Sequence, residues 1–324
     1  MIKTASFELV AADIERVETK MREGIDDHNE TLATVIDYLI SAGGKRLRPV
    51  IILLTTRFQP QVDSLKAVAL ASAVEMLHTA TLVHDDIIDN ALLRRGMPTL
   101  NTQWSPGATV LAGDYLFARS AGLAAETDNV RIIKIFSMTL MTIVNGELNQ
   151  FFNNHHHGPP SREEYFQRIY AKTASLFAAG AETGGILAGL PENQVQALHD
   201  YGYNLGMAFQ IMDDILDFQS TESQLGKPVA NDLRQGIATL PVLFFLDKYP
   251  NHPTVLKAVA RKHPTPDEIQ TVAAAIRASG SIQESLTEAK RFARQAQDAL
   301  IPLPDNQYRL ALLDLADYAV ARDI

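Results

Sequence analysis

The chain has 324 residues, of which 46% are hydrophobic, and its formal net charge is -9. This apolar content is sufficient for a sizeable core, and the acidic balance excludes a diffuse basic surface for nucleic acid. The chain contains no cysteine, which excludes a disulfide framework and a thiol nucleophile and is compatible with a cytoplasmic location.

Apolar residues recur mostly at the spacing of three and four that is typical of helices. An amphipathic helix is predicted over the first 24 residues, which lack the apolar run of a signal peptide. Further helices are predicted over 65–89, 108–125, 130–152, 163–190 and 195–218. Strand patterns are scarce, and no uninterrupted apolar run is long enough to span a bilayer. The pattern predicts an all-α fold of a dozen or so helices in one domain, residues 1–324.

Helix boundaries carry local signals. Capping boxes are predicted at Ser161 to Glu164 and at Thr265 to Glu268. Loops are predicted at Gly96-Met97-Pro98, 153–160, Gly226-Lys227-Pro228 and Pro302-Leu303-Pro304. Small residues crowd 178–189, which indicates a helix packed closely against neighbours or a cavity.

Two acidic clusters stand more than a hundred residues apart in apolar surroundings: Asp85-Asp86-Ile87-Ile88-Asp89 and Asp213-Asp214-Ile215-Leu216-Asp217. Residues four apart share a helix face, so the first and last aspartates of each cluster point the same way. Charges in apolar surroundings are costly unless they are paired or bind metal, and carboxylate oxygens suit Mg²⁺. A solvated charged turn is the alternative for one cluster alone. We expect the two clusters together to form a metal site, facing one another across a central cavity.

Basic residues accompany the acidic clusters. The run Gly43-Gly44-Lys45-Arg46-Leu47-Arg48-Pro49 predicts an anion-binding loop before a helix. Arg94-Arg95 follows the first acidic cluster, and Lys227 follows the second. Separate cation clusters beside metal-binding carboxylates predict a site for two phosphorylated ligands.

Ordered motifs along the chain resemble those of the trans-polyprenyl diphosphate synthases. The motifs are GGKRLRP (43–49), EMLHTATLVHDDIID (75–89), RRGMPT (94–99), GDYLF (113–117), GELNQ (146–150), KTASLF (172–177), FQIMDDILD (209–217) and GKP (226–228). The resemblance implies an all-α isoprenoid synthase fold with helices around a central active-site cavity. It also implies a Mg²⁺-dependent condensation of isopentenyl diphosphate with an allylic diphosphate. One departure is Gln235-Gly236-Ile237, where many members have a lysine after the glycine.

Residue roles follow from this resemblance position by position. The implied metal ligands are Asp85, Asp86, Asp89, Asp213, Asp214 and Asp217. The isopentenyl diphosphate would be held by Lys45, Arg48, His78 and Arg95, and the allylic substrate by Arg94, Lys172, Thr173, Gln210 and Lys227. Gly44 is a further implied substrate-binding residue. The implied catalytic residues are Asp85, Asp89, Asp213, Lys172 and Lys227. A homodimer, or a heterodimer with a small subunit, is also implied, as is peripheral contact with a membrane during product release.

Product length is expected to depend on the residues preceding the first acidic cluster. Ala80 lies five residues before Asp85, or about 7.5 Å along a helix axis. In the family a bulky aromatic near this position stops growth early, so Ala80 and Thr81 predict an open passage. The tunnel floor is not assigned by the sequence; Met76, Leu77, Met138 and Met141 are candidates. We expect a medium- or long-chain product for the side chain of a quinone.

Four alternatives remain open at this point. The chain could be a short-chain farnesyl or geranylgeranyl diphosphate synthase, a terpene cyclase or a non-catalytic partner subunit. A metal-dependent phosphohydrolase is suggested locally by His78 and by the adjacent His84 and Asp85.

Overall fold

The computed structural model describes residues 5–23, 30–94, 96–153, 159–219, 229–260 and 264–321. These residues are predominantly helical, which confirms the predicted fold class. They form two compact units. The first comprises Met1–Met138, Ala179–His199 and Pro302–Leu312, and the second comprises Thr139–Ala178, Asp200–Ile301 and Leu313–Ile324. The assignment of the chain to one domain stays a prediction.

The first helices of the chain are α1 (Ala5–Glu8), α2 (Ala11–Arg22), α3 (Glu30–Ser41), α4 (Leu47–Thr56), α5 (Ser64–Ile88), α6 (Leu100–Gln103), α7 (Pro106–Ala125) and α8 (Val130–Asn153). Next come α9 (Arg162–Ile169), a π-helical turn (Tyr170–Ala174), α10 (Ser175–Leu187) and α11 (Glu192–Gln219). The remaining helices are α12 (Asn231–Arg234), α13 (Leu240–Lys248), α14 (Pro253–Val259), α15 (Pro266–Ala278), α16 (Ser281–Ala299) and α17 (Gln307–Ala321).

Three predicted elements differ from the structure. The amphipathic N-terminal segment forms two helices, α1 and α2, instead of one. The predicted helix over 163–190 is divided by the π-helical turn. The predicted loop at Gly96-Met97-Pro98 belongs to a hairpin in which β1 (Leu93–Arg94) pairs antiparallel with β2 (Met97–Pro98). The sequence prediction was wrong at these places because each departure is too short to alter the apolar periodicity.

Other local predictions are confirmed. Both capping boxes form, at Ser161 with Glu164 and at Thr265 with Glu268. The stretch from Pro302 to Pro304 is non-helical. The predicted loop at 226–228, and 154–158 of the loop predicted over 153–160, lie outside the described residues.

The first unit is built around α5, which packs mainly against α7 and also against α4 and α2. Of the described helices, α5 alone is long and apolar enough to cross a bilayer. However, 72% of its apolar window is buried inside the protein, as expected for a core helix. The small residues of α10 allow a close approach to α4, because a Cβ at Gly184 would overlap the Thr55 hydroxyl. This contact confirms the predicted close packing of 178–189.

The second unit has an apolar core formed by α9, the second half of α11 and the helices α13 to α16. Within it, α13 packs against α16, and α16 also contacts α15. Large buried side chains from α9 and α11, including Tyr165 and Phe218, are completely enclosed. This enclosure fixes the helix that carries the second acidic cluster.

Candidate active site

The first acidic cluster lies at the carboxyl end of α5. The helix ends at Ile88, but Asp89 keeps a right-handed helical conformation and its backbone N–H donates to the Asp85 carbonyl at 2.8 Å. Asp85 and Asp89 are therefore one turn apart on the same side. Asp85 is half-buried and Asp89 is exposed, so both positions are accessible from solvent.

Asp86 has different surroundings from its two neighbours. It is buried, and its Oδ1 accepts hydrogen bonds from Nε and Nη2 of Arg94, both at 2.8 Å. Its carbonyl oxygen accepts a further bond from Asn101. Arg94, which the resemblance assigns to the allylic substrate, thus anchors the hairpin to the end of α5. Arg95 lies outside the described residues.

The second acidic cluster lies near the carboxyl end of α11. Asp213 and Asp217 are half-buried and, being four residues apart, share one side of the helix. The Asp217 carboxylate accepts hydrogen bonds from the backbone N–H groups of Asn231 (3.1 Å) and Asp232 (3.2 Å). Asp217 therefore also holds the start of α12.

Asp214 points into the core of the second unit. It is 2% exposed, and its two oxygens accept hydrogen bonds from the Tyr165 hydroxyl (2.7 Å) and the Gln210 amide (2.9 Å). Burial, and then the charge of Asp232, raise the pKa of the Asp214 carboxyl, whereas the bonds from Tyr165 and Gln210 act to lower it. The second aspartate of each cluster is thus enclosed and bonded to a neighbouring side chain. The assignment of Asp86 and Asp214 as metal ligands stays a prediction.

The donor chemistry of the remaining aspartates fits a hard divalent cation. Asp85 with Asp89, and Asp213 with Asp217, offer carboxylate oxygens one helical turn apart. Among the described residues, no three or more histidine, aspartate or glutamate side chains are grouped closely enough to hold an ion. An ion bound at either pair would complete its shell with water or ligand oxygens, as Mg²⁺ usually does.

The basic loop before α4 is fixed by Arg46. This residue has a left-handed backbone (φ 50°), and its buried guanidinium donates to Glu75 (3.0 Å), Glu18 (2.9 Å) and the Ile40 carbonyl (2.9 Å). Glu75 is also buried and stands three residues before His78 on α5. The contact ties the loop to the helix that carries the first acidic cluster.

The predicted anion ligands of this region are more accessible than Arg46. Gly44 and Lys45 are exposed, and Arg48 and His78 are half-buried. Of the three cations in the loop, the middle one is therefore structural. The other two are placed where a ligand could reach them.

Lys172 and Thr173 lie in the π-helical turn between α9 and α10. The turn is closed by the Ser175 backbone N–H, which donates to the Tyr170 carbonyl five residues earlier. Single π-helical turns occur frequently at functional sites. The turn is thus a local departure from α-helical geometry at two of the predicted substrate-binding residues.

Glu147 of α8 contacts this turn. Its carboxylate is 2.9 Å from the Lys172 ammonium. The approach is close because Gly146 has no side chain: a Cβ there would be 2.5 Å from the Ala171 Cβ. Thr173 donates to Gln210 at 2.7 Å, so the structure brings these two predicted substrate ligands together. Lys227 lies outside the described residues.

His84 is directed away from the acidic cluster. Its Nε2 is 3.1 Å from the Val110 carbonyl of α7 and 3.7 Å from Asp114, and its ring packs against Phe117. The carbonyl can only accept, so Nε2 donates. This orientation gives no support to a site that uses His84 with Asp85 for phosphohydrolysis.

The predicted chain-length residues differ in exposure. Leu77 and Ala80 have no exposed surface, whereas Thr81 is half-buried and lies one turn before Asp85. Met76 is also completely buried. Met138 and Met141, two other candidates for the tunnel floor, are 62% and 55% exposed on α8.

Three residues of this region were missed by sequence reasoning: Arg46, Glu147 and Tyr165. Arg46 and Glu147 occur in motifs that carried the resemblance, yet their partners are distant in sequence. Tyr165 precedes the KTASLF motif by seven residues and carries no local signal. Only the packing of α9 against α11 reveals its bond to Asp214.

Comparisons with known proteins identify the family of the chain. Residues 29–277 match the family model described as "Polyprenyl synthetase". The chain is 40% identical to heptaprenyl diphosphate synthase component 2 of Geobacillus stearothermophilus, with 98% of each chain covered. It is 35% identical to octaprenyl diphosphate synthase of Escherichia coli, again over 98% of each.

A solved structure gives the same result. The polyprenyl synthase of Caulobacter crescentus, complexed with calcium and isoprenyl diphosphate, superposes with a TM-score of 0.92 at 36% identity, and 98% of this chain and 97% of that chain are covered. The resemblance inferred from the motifs is confirmed. This chain belongs to the polyprenyl synthetase family and is an enzyme of the trans-polyprenyl diphosphate synthase type, a prenyltransferase that makes medium- or long-chain polyprenyl diphosphates.

Proposed function

We propose that the enzyme uses Mg²⁺ to condense isopentenyl diphosphate with an allylic diphosphate, and that its product supplies the side chain of a quinone. The observation that carries this proposal is the pairing of accessible carboxylates one turn apart in each acidic cluster. With oxygen donors alone, each pair suits an ion that also binds phosphate oxygens. The names of the relatives support the same reaction.

The chain's own residues would bind and orient the two substrates. Asp85 with Asp89, and separately Asp213, would hold metal ions, which when bound supply positive charge that stabilises the departing diphosphate. Lys172 and Lys227 would bind the same diphosphate as point charges. Lys45 and Arg48 would hold isopentenyl diphosphate, and Arg46 keeps their loop against α5. Metal-assisted ionisation requires no protein nucleophile, which is consistent with the absence of cysteine.

The proposal is tested by incubating the protein with farnesyl diphosphate, labelled isopentenyl diphosphate and Mg²⁺, with and without excess EDTA. We expect elongated all-trans products that are lost with EDTA. The reaction should also be run beside a candidate small subunit, because the relative from G. stearothermophilus is named as one component. Cyclised or hydrolysed products, or no condensation in either setting, would contradict the proposal.

A matched pair of variants tests the acidic cluster. Asp213→Asn should lower kcat by about 100-fold or more, because an ion ligand that stabilises developing charge is lost. Asp37→Asn changes an exposed aspartate that pairs with Arg22, and should leave kcat unchanged. Equal rates for the two variants would exclude Asp213 from the reaction.

A substitution at Ala80, which has no exposed surface in the structure, tests the prediction on product length. Ala80→Phe should shorten the product, because a ring placed there would obstruct the growing chain. The control is Ala71→Phe. Ala71 is equally buried and stands nine residues earlier, on the opposite face of α5. Product lengths measured by chromatography that do not differ between the variants would remove the role of Ala80.

A homodimer is the oligomeric state that we propose. It is supported by an apolar stripe on α8 that consists of Met141, Val144, Leu148, Phe151 and Phe152, each at least 43% exposed. Monomers rarely expose contiguous apolar patches of this kind. We further propose a cytoplasmic enzyme that contacts a membrane peripherally when its product is released.

A further inference from the structure

A chain of hydrogen bonds in the second unit connects the buried Tyr165 to the π-helical turn. The Tyr165 hydroxyl donates to Asp214 Oδ2 at 2.7 Å, and Gln210 Nε2 donates to Asp214 Oδ1 at 2.9 Å. Gln210 Oε1 in turn accepts from the Thr173 hydroxyl at 2.7 Å. The four side chains thus link α9, α11 and the turn.

The direction of each bond follows from its neighbour. In the structure the Tyr165 hydroxyl and the Gln210 NH₂ group each donate to one oxygen of Asp214. The amide oxygen then faces Thr173, which has to donate its only hydroxyl proton to it. The Thr173 oxygen can then only accept a further hydrogen bond. The direction of the Thr173 hydroxyl proton is therefore determined by Asp214, through Gln210.

The members of the chain differ in their access to a ligand. Tyr165 is completely buried and Asp214 is 2% exposed, whereas Gln210 is half-buried. Thr173 is 6% exposed and adjoins Lys172, whose side chain is 38% exposed. Tyr165 and Asp214 are thus placed to act on a ligand through Gln210 and Thr173.

We propose that Tyr165 is a positioning residue for the allylic substrate: through Asp214 and Gln210 it fixes the direction of the Thr173 hydroxyl proton. The inference rests on the proposed function, which places Thr173 against that substrate. It also assigns Asp214 a positioning role that does not require contact with a metal ion. Hydrogen bonds in such enclosed networks reinforce one another, so the loss of the Tyr165 hydroxyl is transmitted along the chain.

Steady-state kinetics of Tyr165→Phe test this proposal, because the variant removes one oxygen and keeps the ring. We expect KM for the allylic diphosphate to rise roughly tenfold, the size of effect typical of losing a hydrogen bond such as that from the Tyr165 hydroxyl to Asp214, with KM for isopentenyl diphosphate changing less than twofold. The control is Tyr201→Phe, a second completely buried tyrosine, thirteen residues before Asp214 on α11. It should leave both KM values unchanged.

A double-mutant cycle separates transmission from a general loss of structure. Thr173→Val removes the hydroxyl at the end of the chain, and Thr173→Ser retains it. If Tyr165 acts through Thr173, Tyr165→Phe should have no further effect on the allylic KM in the Thr173→Val background. In the Thr173→Ser background its roughly tenfold effect should persist. Additive effects in the valine background would overturn the proposal.

A third measurement does not depend on catalysis. In protein labelled with ¹⁵N-glutamine, the side-chain amide signal of Gln210 is identified by its loss in Gln210→Leu. We expect this signal to shift in Tyr165→Phe and to stay in place in Tyr201→Phe. An unchanged signal would overturn the proposal even if the enzyme is active. A wild-type enzyme that condenses no substrates, with the signal still shifted, would instead contradict the proposed function.

Discussion

The middle cation of the GGKRLRP motif is a structural residue. Arg46 and Glu75 are both buried, and removing one partner of a buried ion pair leaves an uncompensated charge. We predict that Glu75→Leu lowers the free energy of unfolding by about 3–5 kcal/mol, measured by urea denaturation. The double variant Arg46→Met with Glu75→Leu should lose less, because both buried charges are then removed and Glu18, the other partner of Arg46, is partly exposed.

The pair between Arg131 and Glu192 is the control for this prediction. Its two bonds are short, 2.6 Å each, but both side chains are exposed. Exposed ion pairs contribute about 0–1 kcal/mol, so Arg131→Met should have little effect. A loss as large as that of Glu75→Leu would show that bond length, and not burial, determines the cost.

At the scale of single residues, the sequence predicted which side chains carry the chemistry better than it predicted where each side chain points. Helical phase does separate Asp85 and Asp89 from Asp86, because adjacent residues point about 100° apart. The same phase separates Asp214 from Asp213 and Asp217. The identity of the enclosing partners, Arg94 and Tyr165, depends on tertiary packing that no local pattern encodes.

The contact between α5 and α7 depends on a glycine. A Cβ at Gly113 would overlap the imidazole of His84, which is held on the Val110 carbonyl. We predict that Gly113→Ala lowers the free energy of unfolding by about 1–3 kcal/mol through overpacking. In a His84→Ala background the same change should cost little, since the space is then available.

Gly122 on the same helix provides the matched control. Among the described residues, and apart from the chain neighbours and backbone of its own helix, no atom lies within 4 Å of the Cβ that Gly122→Ala would add. This variant should therefore stabilise α7 by about 0.5–1 kcal/mol, the difference in helix propensity between the two residues. Thermal unfolding of the four variants measures both effects, and equal costs at the two glycines would refute the steric explanation.

The capping box of α15 predicts a dependence on pH. The Lys257 ammonium, and next the Thr265 backbone N–H, lower the pKa of Glu268 below its ordinary value of 4.5. A lowered pKa contributes stability above the unfolded value, and this is lost as the pH falls through the folded value. Glu268→Gln should thus lower Tm at neutral pH and have no effect well below pH 4.5.

Glu164 in the capping box of α9 is the comparison for Glu268. It bonds Ser161, and these contacts also lower its pKa, but its box includes no lysine. Glutamine can retain the capping bonds. Glu164→Gln should therefore change Tm less at neutral pH than Glu268→Gln. The opposite order would show that the ion pair with Lys257 is not the main contribution.

At the scale of elements, the long helices were predictable and the short departures were not. The bounds predicted for α5, α7 and α8 are within two residues of the observed ones, because many apolar positions define their period. The two-residue strands after Asp89 and the five-residue π-helical turn are too short to change that period. Their positions become visible only through tertiary hydrogen bonds.

For the molecule as a whole, the apolar stripe on α8 predicts self-association. Leu148→Glu would place a charge in an apolar interface and should convert a dimer into monomers, measured by sedimentation velocity. Leu310→Glu changes a leucine of similar exposure on α17 and should leave the dimer intact. A monomeric wild-type protein would contradict the proposed oligomeric state.

The family could be recognised from the sequence because eight ordered motifs extend over most of the chain. Residues that bind ligands are restricted in type and spacing, so they can be recognised from the sequence without a structure. Partners such as Glu147 and Tyr165 act across helices, and their contribution depends on which faces meet. Ligand-binding motifs are therefore local in the sequence, whereas contacts between helices are not.

The π-helical turn of residues 170–174 also affects how the chain can change in length. It holds one residue more than an α-helical turn would. Deleting one residue of this turn would therefore restore a continuous α-helix that covers nearly the same rotation, and Tyr165 would keep its place beside Asp214. A deletion within α9, between Tyr165 and the turn, would instead rotate Tyr165 by about 100° around the helix axis. The turn is thus a place where this stretch can lose a residue without changing the phase of the helices on either side.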